Sequence, residues 1–189
     1  MSFKIENRLI GPDETPYIIA ELSANHNGSL ELAKKMVDVA ASAGADYVKF
    51  QTFDASAIAT KEANLVSYQR KSSKESNQIE MLEKLSLSMT DHQELLKHCE
   101  SKSINFLSTA FDDESLMFLS NLGAKLYKVP SGEITNTPYL ERVANLAEEV
   151  ILSTGMAEMK EVKNAVSVLE KSGLKKTNIT VLHCTTAYP

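Results

Sequence analysis

Two lysines stand where a lysine is costly. Lys49 interrupts the apolar run of DYVKFQTF, and Lys128 falls at the end of the apolar run in LYKVPSGE. A buried ammonium is unfavourable unless an anion or strong acceptors face it. Each lysine lies near the C-terminal end of a predicted strand, and hydroxyl residues (Thr109, Ser131 and Ser153) occupy comparable places after other strands. A point-charge lysine among hydroxyl donors suits a phosphate, and a second lysine suits a carboxylate. The pattern points to one small anion held from two sides, or to a substrate carrying both groups. Further polar residues at strand ends are Glu21, Ser23, Asn25, His26, Gln51, Thr52, Ser108, Glu133, Thr154, His183, Thr185, Thr186 and Tyr188.

The elements that position these residues are short, β-branched apolar runs near 17–22, 46–51, 104–109, 125–129, 149–153 and 179–183, separated by segments of helical periodicity. The runs are apolar throughout, as strands covered on both faces should be. Such alternation predicts either a doubly wound sheet or a barrel. The absence of a GxGxxG after any strand argues against the first. The expected fold class is therefore α/β, a TIM (β/α)8 barrel, with polar strand ends gathered on its C-terminal face. Such a barrel needs eight strands and about 250 residues, whereas these 189 residues supply six strand candidates and end on Pro189 straight after the last. The expectation is a barrel truncated to about six βα units, with open edges prone to association. Ser29 is predicted to cap one helix that Gly44 stops, and Thr90 to cap another, with Glu94 nearby. Residues 54–80 form a polar excursion with one short helix, the kind that is usually functional or mobile. FKIENRLIG is a short leading segment with no element assigned to it.

The balance of charge narrows the function classes. A net charge of −5 excludes general affinity for nucleic acid, so the lysines are read singly. No apolar run approaches the roughly 20 residues of a membrane span, and MSFKIENRLIG lacks the apolar core of a signal peptide. Cys99 and Cys184 form no CxxC pair, which fits a reducing cytoplasm without disulfides. Plainer readings stand beside these. Lys49 or Lys128 can pair with a structural acid such as Glu21 or Glu133, and strand-end hydroxyls such as Ser153 can simply cap the next helix. His26 and His183 are read as loop residues rather than metal ligands. His92 and His98 are read as surface positions, Cys184 as a small buried residue, and the Lys61–Lys74 run as a solvated face.

AELSANHNGS, YVKFQTF, FLSTAFD, YKVPSGE, ILSTGM and LHCTTAYP occur in this order at the strand ends. From about residue 3 to the last residue, the sequence resembles the N-acetylneuraminate (sialic acid) synthase family, which includes legionaminic and pseudaminic acid synthases. The resemblance implies that residues 1–189 are the N-terminal part of that family's barrel, without the last strands and the antifreeze-like domain. It implies condensation of phosphoenolpyruvate with N-acetylmannosamine or a related N-acetylated amino sugar, giving a nonulosonic acid and phosphate. In those terms Lys128, Thr109, Ser131 and Ser153 would hold the phosphate, Lys49 would face the carboxylate, and Glu21 would be the acid–base carboxylate. Gln51, Glu133 and Tyr188 would touch the sugar. Some members carry Asn two residues before that tyrosine where this chain has Thr186, which leaves the sugar open. A divalent metal, Mn2+ or Mg2+, and a homodimer are also implied. The metal ligands are expected beyond residue 189, so the chain made alone is expected to be inactive. The rival readings are a barrel aldolase using Lys49 or Lys128 for a Schiff base, and a non-catalytic phosphate- or sugar-binding module.

Overall fold

A computed structural model describes residues 3–6, 8–60, 63 and 77–186. The chain divides into two compact units, residues 18–118 and residues 1–17 with 119–189.

In the unit 18–118, β3 (Ile19–Ser23), β4 (Tyr47–Thr52) and β5 (Asn105–Ala110) form a parallel sheet in the order β3-β4-β5. Helix α1 (Leu30–Ser42) starts where the Ser29 hydroxyl accepts the N–H of Leu32, and it ends as Gly44 takes φ +81. Its Ala33, Val37 and Ala40 pack with Leu95 and Cys99 of α4 (Met89–Ser101) and with Val48 and Phe50 of β4. That cluster is the core of the unit. The excursion carries one short described helix, α2 (Ala55–Ile58), and α3 (Gln78–Leu85) begins at its end. The Lys61–Lys74 run lies outside the described residues, Ala63 apart. Helix α5 spans Asp113–Asn121. Asp112 precedes it and accepts the N–H and hydroxyl of Ser115, so the acidic start of DDESLMFLSNLG acts as a cap.

The other unit holds a second parallel sheet, β6 (Leu126–Val129), β7 (Glu149–Ser153) and β8 (Ile179–Leu182), in that order. Helices α6 (Thr137–Leu146) and α7 (Met159–Lys171) supply buried Leu140, Val143, Ala165 and Leu169. An antiparallel hairpin, β1 (Phe3–Ile5) and β2 (Arg8–Ile10), belongs to this unit. Both carboxylate oxygens of Glu149 accept the N–H of Glu6, at 2.9 and 2.8 Å.

All six strand candidates and the alternating helices are present. The described pairing runs in two sets of three strands. Three expectations need correction. The hairpin replaces an unassigned FKIENRLIG segment: its turn, at Glu6 with φ +51, is written with none of the usual Asn-Gly or Asp-Gly signals. Ser88 rather than Thr90 caps α4, in a reciprocal capping box with Asp91, which places Thr90 inside the helix. His92 is 1 % exposed and so no surface position, because its ring lies against Phe106 and Phe118.

Candidate functional site

The strand-end residues are divided between the two units, and each set has its own geometry. In the unit 18–118, Val48 and Phe50 point into the core, so the alternation of a strand turns Lys49 and Gln51 to the opposite face. The parallel register places Glu21 beside Lys49 and Gln51 beside Thr109. Lys49 Nζ lies 2.5 Å from Glu21 Oε2 and donates to Thr109 Oγ1 at 3.5 Å. Gln51 Nε2 donates to Ser23 Oγ at 2.9 Å, where the ladder slips and Ser23 takes φ +52. This structure therefore brings Glu21, Lys49, Gln51 and Thr109 together.

The plainer reading of Lys49, a pair with Glu21, holds here in part. The lysine side chain is 12 % exposed and the glutamate 52 %. A mostly buried cation whose counter-ion reaches solvent can present its ammonium to an incoming anion, with the Thr109 hydroxyl beside it. The carboxylate then stands next to whatever binds. His26 is buried, and its Nδ1 accepts the N–H of Gly28 at 3.1 Å, as expected of a loop histidine. Its imidazole titrates below the ordinary range, first because burial disfavours the charged form and then because His92 is near.

In the other unit, Lys128 is paired in register with Ile151, two residues before Ser153 on β7, so Lys128 and Ser153 share a face. Lys128 Nζ donates to the carbonyl of Val129 at 2.9 Å. Ser131 and Glu133 follow in a 3-10 turn, where Glu133 Oε2 accepts from Asn136 Nδ2 at 2.7 Å. Ser153 caps no helix, since α7 is capped by Glu158. Thr154 is buried and donates to the carbonyl of Leu182 at 2.9 Å. The N–H of Gly155 donates to Cys184 Sγ at 3.4 Å. Cys184 is thus a half-buried hydrogen-bonded thiol, not merely a small core residue. Burial raises its pKa, but the Gly155 N–H, the Ser153 hydroxyl and Thr154 together hold the thiol below its ordinary value.

Sequence reasoning missed Gly155. It takes φ +50, and a Cβ there would lie 2.5 Å from Ser131 Oγ and 2.6 Å from Thr186 Oγ1. Its lack of a side chain lets the loop after β7 close on the residues after β6 and β8. The one available signal was a glycine directly after a strand-end Ser-Thr. Tyr188 lies outside the described residues. Among the described residues no group of three His, Cys, Asp or Glu side chains could hold a metal ion.

Comparison with known proteins completes the picture. A model described as the NeuB family matches residues 36–189. N,N'-diacetyllegionaminic acid synthase of Campylobacter jejuni is 50% identical over 173 residues, covering 91% of this chain and 52% of the relative. The Legionella pneumophila protein of the same name is 44% identical over 182 residues, covering 95% of this chain and 51% of the relative. The chain thus spans about half the length of the curated relatives it matches. Among solved structures, N-acetylneuraminic acid (sialic acid) synthetase from Leptospira borgpetersenii, in complex with citrate, superposes with a TM-score of 0.82 at 29% identity. It covers 100% of this chain and 61% of that one.

Proposed function

The chain belongs to the NeuB family, and from that premise we propose that it is the phosphoenolpyruvate-binding part of a nonulosonic acid synthase built on a (β/α)8 barrel. The acceptor in this reading is an N-acetylated amino sugar of the N-acetylmannosamine class. The single observation that carries it is the strand-end set Glu21–Lys49–Thr109, a mostly buried ammonium in contact with a carboxylate and a hydroxyl. Lys128, Thr109, Ser131 and Ser153 hold the phosphate, and Lys49 meets the carboxylate of phosphoenolpyruvate. Gln51, Glu133 and Tyr188 face the sugar.

The reaction joins carbon 3 of phosphoenolpyruvate to the sugar's aldehyde carbon, whose oxygen takes up a proton. Water adds at carbon 2, and the tetrahedral species expels phosphate with cleavage of the C–O bond. Fixed ammonium and hydroxyl donors stabilise the charge at both ends of this sequence. Glu21 is placed to hold or move the proton of the incoming water. The reading includes a divalent metal, Mn2+ or Mg2+, and among the described residues no group of three His, Cys, Asp or Glu side chains would hold it. A cytoplasmic homodimer completes the proposal. The Glu21 contact favours an ion-pairing Lys49 over a Schiff-base lysine.

Calorimetric titration with phosphoenolpyruvate tests the reading. Lys49→Ala and Lys128→Ala should each weaken binding by about tenfold to a hundredfold, the scale of a charge-assisted hydrogen bond. Inorganic phosphate should feel Lys128→Ala and be nearly indifferent to Lys49→Ala. Absence of binding by the folded wild-type chain, or equal affinity in both variants and wild type, would refute it.

A further inference from the structure

Behind the sheet that carries Lys49 and Gln51 lies a buried histidine that the proposed chemistry does not use. His92 Nδ1 is 2.9 Å from the carbonyl of Ser88, and its Nε2 is 3.0 Å from Thr52 Oγ1 and 3.3 Å from the carbonyl of Gln51. Thr52 Oγ1 is in turn 2.7 Å from Ser108 Oγ. His92, Thr52 and Ser108 are all buried. A carbonyl only accepts, and of the two carbonyls at the ring the nearer, Ser88, takes the hydrogen of the neutral ring from Nδ1, while the longer approach of Nε2 to Gln51 carries no hydrogen. Nε2 then accepts from the Thr52 hydroxyl, and the Thr52 oxygen accepts from Ser108. In this arrangement the buried hydroxyls of Thr52 and Ser108 each have a partner.

The placement of this chain gives it a purpose. Thr52 follows Gln51 on β4, and Ser108 precedes Thr109 on β5. Alternation puts Thr52 and Ser108 on the core face and Gln51 and Thr109 on the opposite, polar face. The hydroxyl bridge therefore locks two strand ends together from behind, and α4 supplies the anchor through His92. We propose that His92 is a positioning residue: through Thr52 and Ser108 it sets the strand ends that present Gln51 and Thr109. Its consequence for binding rests on the proposed function; its consequence for the strand ends does not.

Two variants separate the anchor from mere packing. In His92→Gln the carboxamide replaces Nε2 and keeps an acceptor for Thr52. In His92→Asn it replaces Nδ1, keeps the donor to Ser88 and loses Thr52. The first readout is hydrogen exchange at the Phe111 N–H, which donates to the Thr52 carbonyl at 3.2 Å. It is compared with the Asn105 N–H, which donates to Asp46 at the far end of the same strand pair. Exchange at Phe111 should rise about tenfold relative to Asn105 in His92→Asn, the scale of one buried hydrogen bond, and stay near wild type in His92→Gln. Thr52→Val, close in shape, should reproduce His92→Asn, and it keeps the test open if a His92 variant fails to fold. The second readout is titration with phosphoenolpyruvate, where affinity should follow the same order. Equal exchange in both His92 variants, or no change in Thr52→Val, overturns the proposal. Failure of the wild-type chain to bind phosphoenolpyruvate overturns the functional reading instead, and the exchange result still decides the role of His92.

Discussion

Replacing Gly155 by alanine tests whether three strand ends are joined as tightly as the geometry indicates. The backbone is at φ +50, where a Cβ costs roughly 1–2 kcal/mol. The added methyl would also stand 2.5 Å from Ser131 Oγ, 2.6 Å from Ser131 Cβ and 2.6 Å from Thr186 Oγ1. Rotating the Ser131 hydroxyl away leaves its Cβ in place, so backbone must shift, at a typical overpacking cost of about 1–3 kcal/mol. The expected total is roughly 2–5 kcal/mol. Gly123 is the internal control. It lies in the same unit at φ +87 with nothing within 4 Å of its Cβ position, so Gly123→Ala carries the conformational cost alone. Guanidinium unfolding of the three proteins, followed by circular dichroism with a common slope, gives the difference directly. Gly155→Ala should lose about 1–3 kcal/mol more than Gly123→Ala. Equal losses would refute the claim that the loop after β7 is closed against Ser131 and Thr186.

Two further predictions concern titrating groups. Burial pushes the Cys99 thiol up to about 12, while hydrogen bonds hold the Cys184 thiol below its ordinary value. Iodoacetamide at pH 8 should therefore label Cys184 at least roughly tenfold faster than Cys99 in the folded protein, as peptide mass spectrometry would show; comparable labelling would contradict the geometry around Cys184. The buried His26 has its pKa lowered from the ordinary value of 6.5, so the unfolded chain binds a proton that the folded chain resists. Its contribution to stability is complete above pH 6.5 and declines as pH falls below that value. His26→Gln should flatten that part of the stability–pH curve, and an unchanged slope between pH 7 and 5 would exclude His26 as the source.

The sequence by itself determined the order and type of the main elements, because those signals are local. Apolar β-branched runs such as YIIAEL and EVILS mark strands, and the Ser29 cap and Gly44 stop bracket α1 within a few residues. The candidate lysines were legible for the same reason: an ammonium in an apolar strand conflicts with its own neighbours. Other features depend on partners distant in the chain. Glu21 meets Lys49 because a parallel register pairs β3 with β4. The hairpin at the N-terminus is too short to show a period, and its turn lacks the usual residues. His92 looked exposed because its helix is written in polar letters, TDHQELLKHCES. Only the packing of α4 beside β4, β5 and α5 supplies the hydroxyl and the aromatic rings that make its burial favourable. Gly155 carried no local sign of what it would touch, because Ser131 and Thr186 come from other strand ends. Local propensity named the pieces. Register and close packing, which join residues far apart in the chain, decided which side chains face one another.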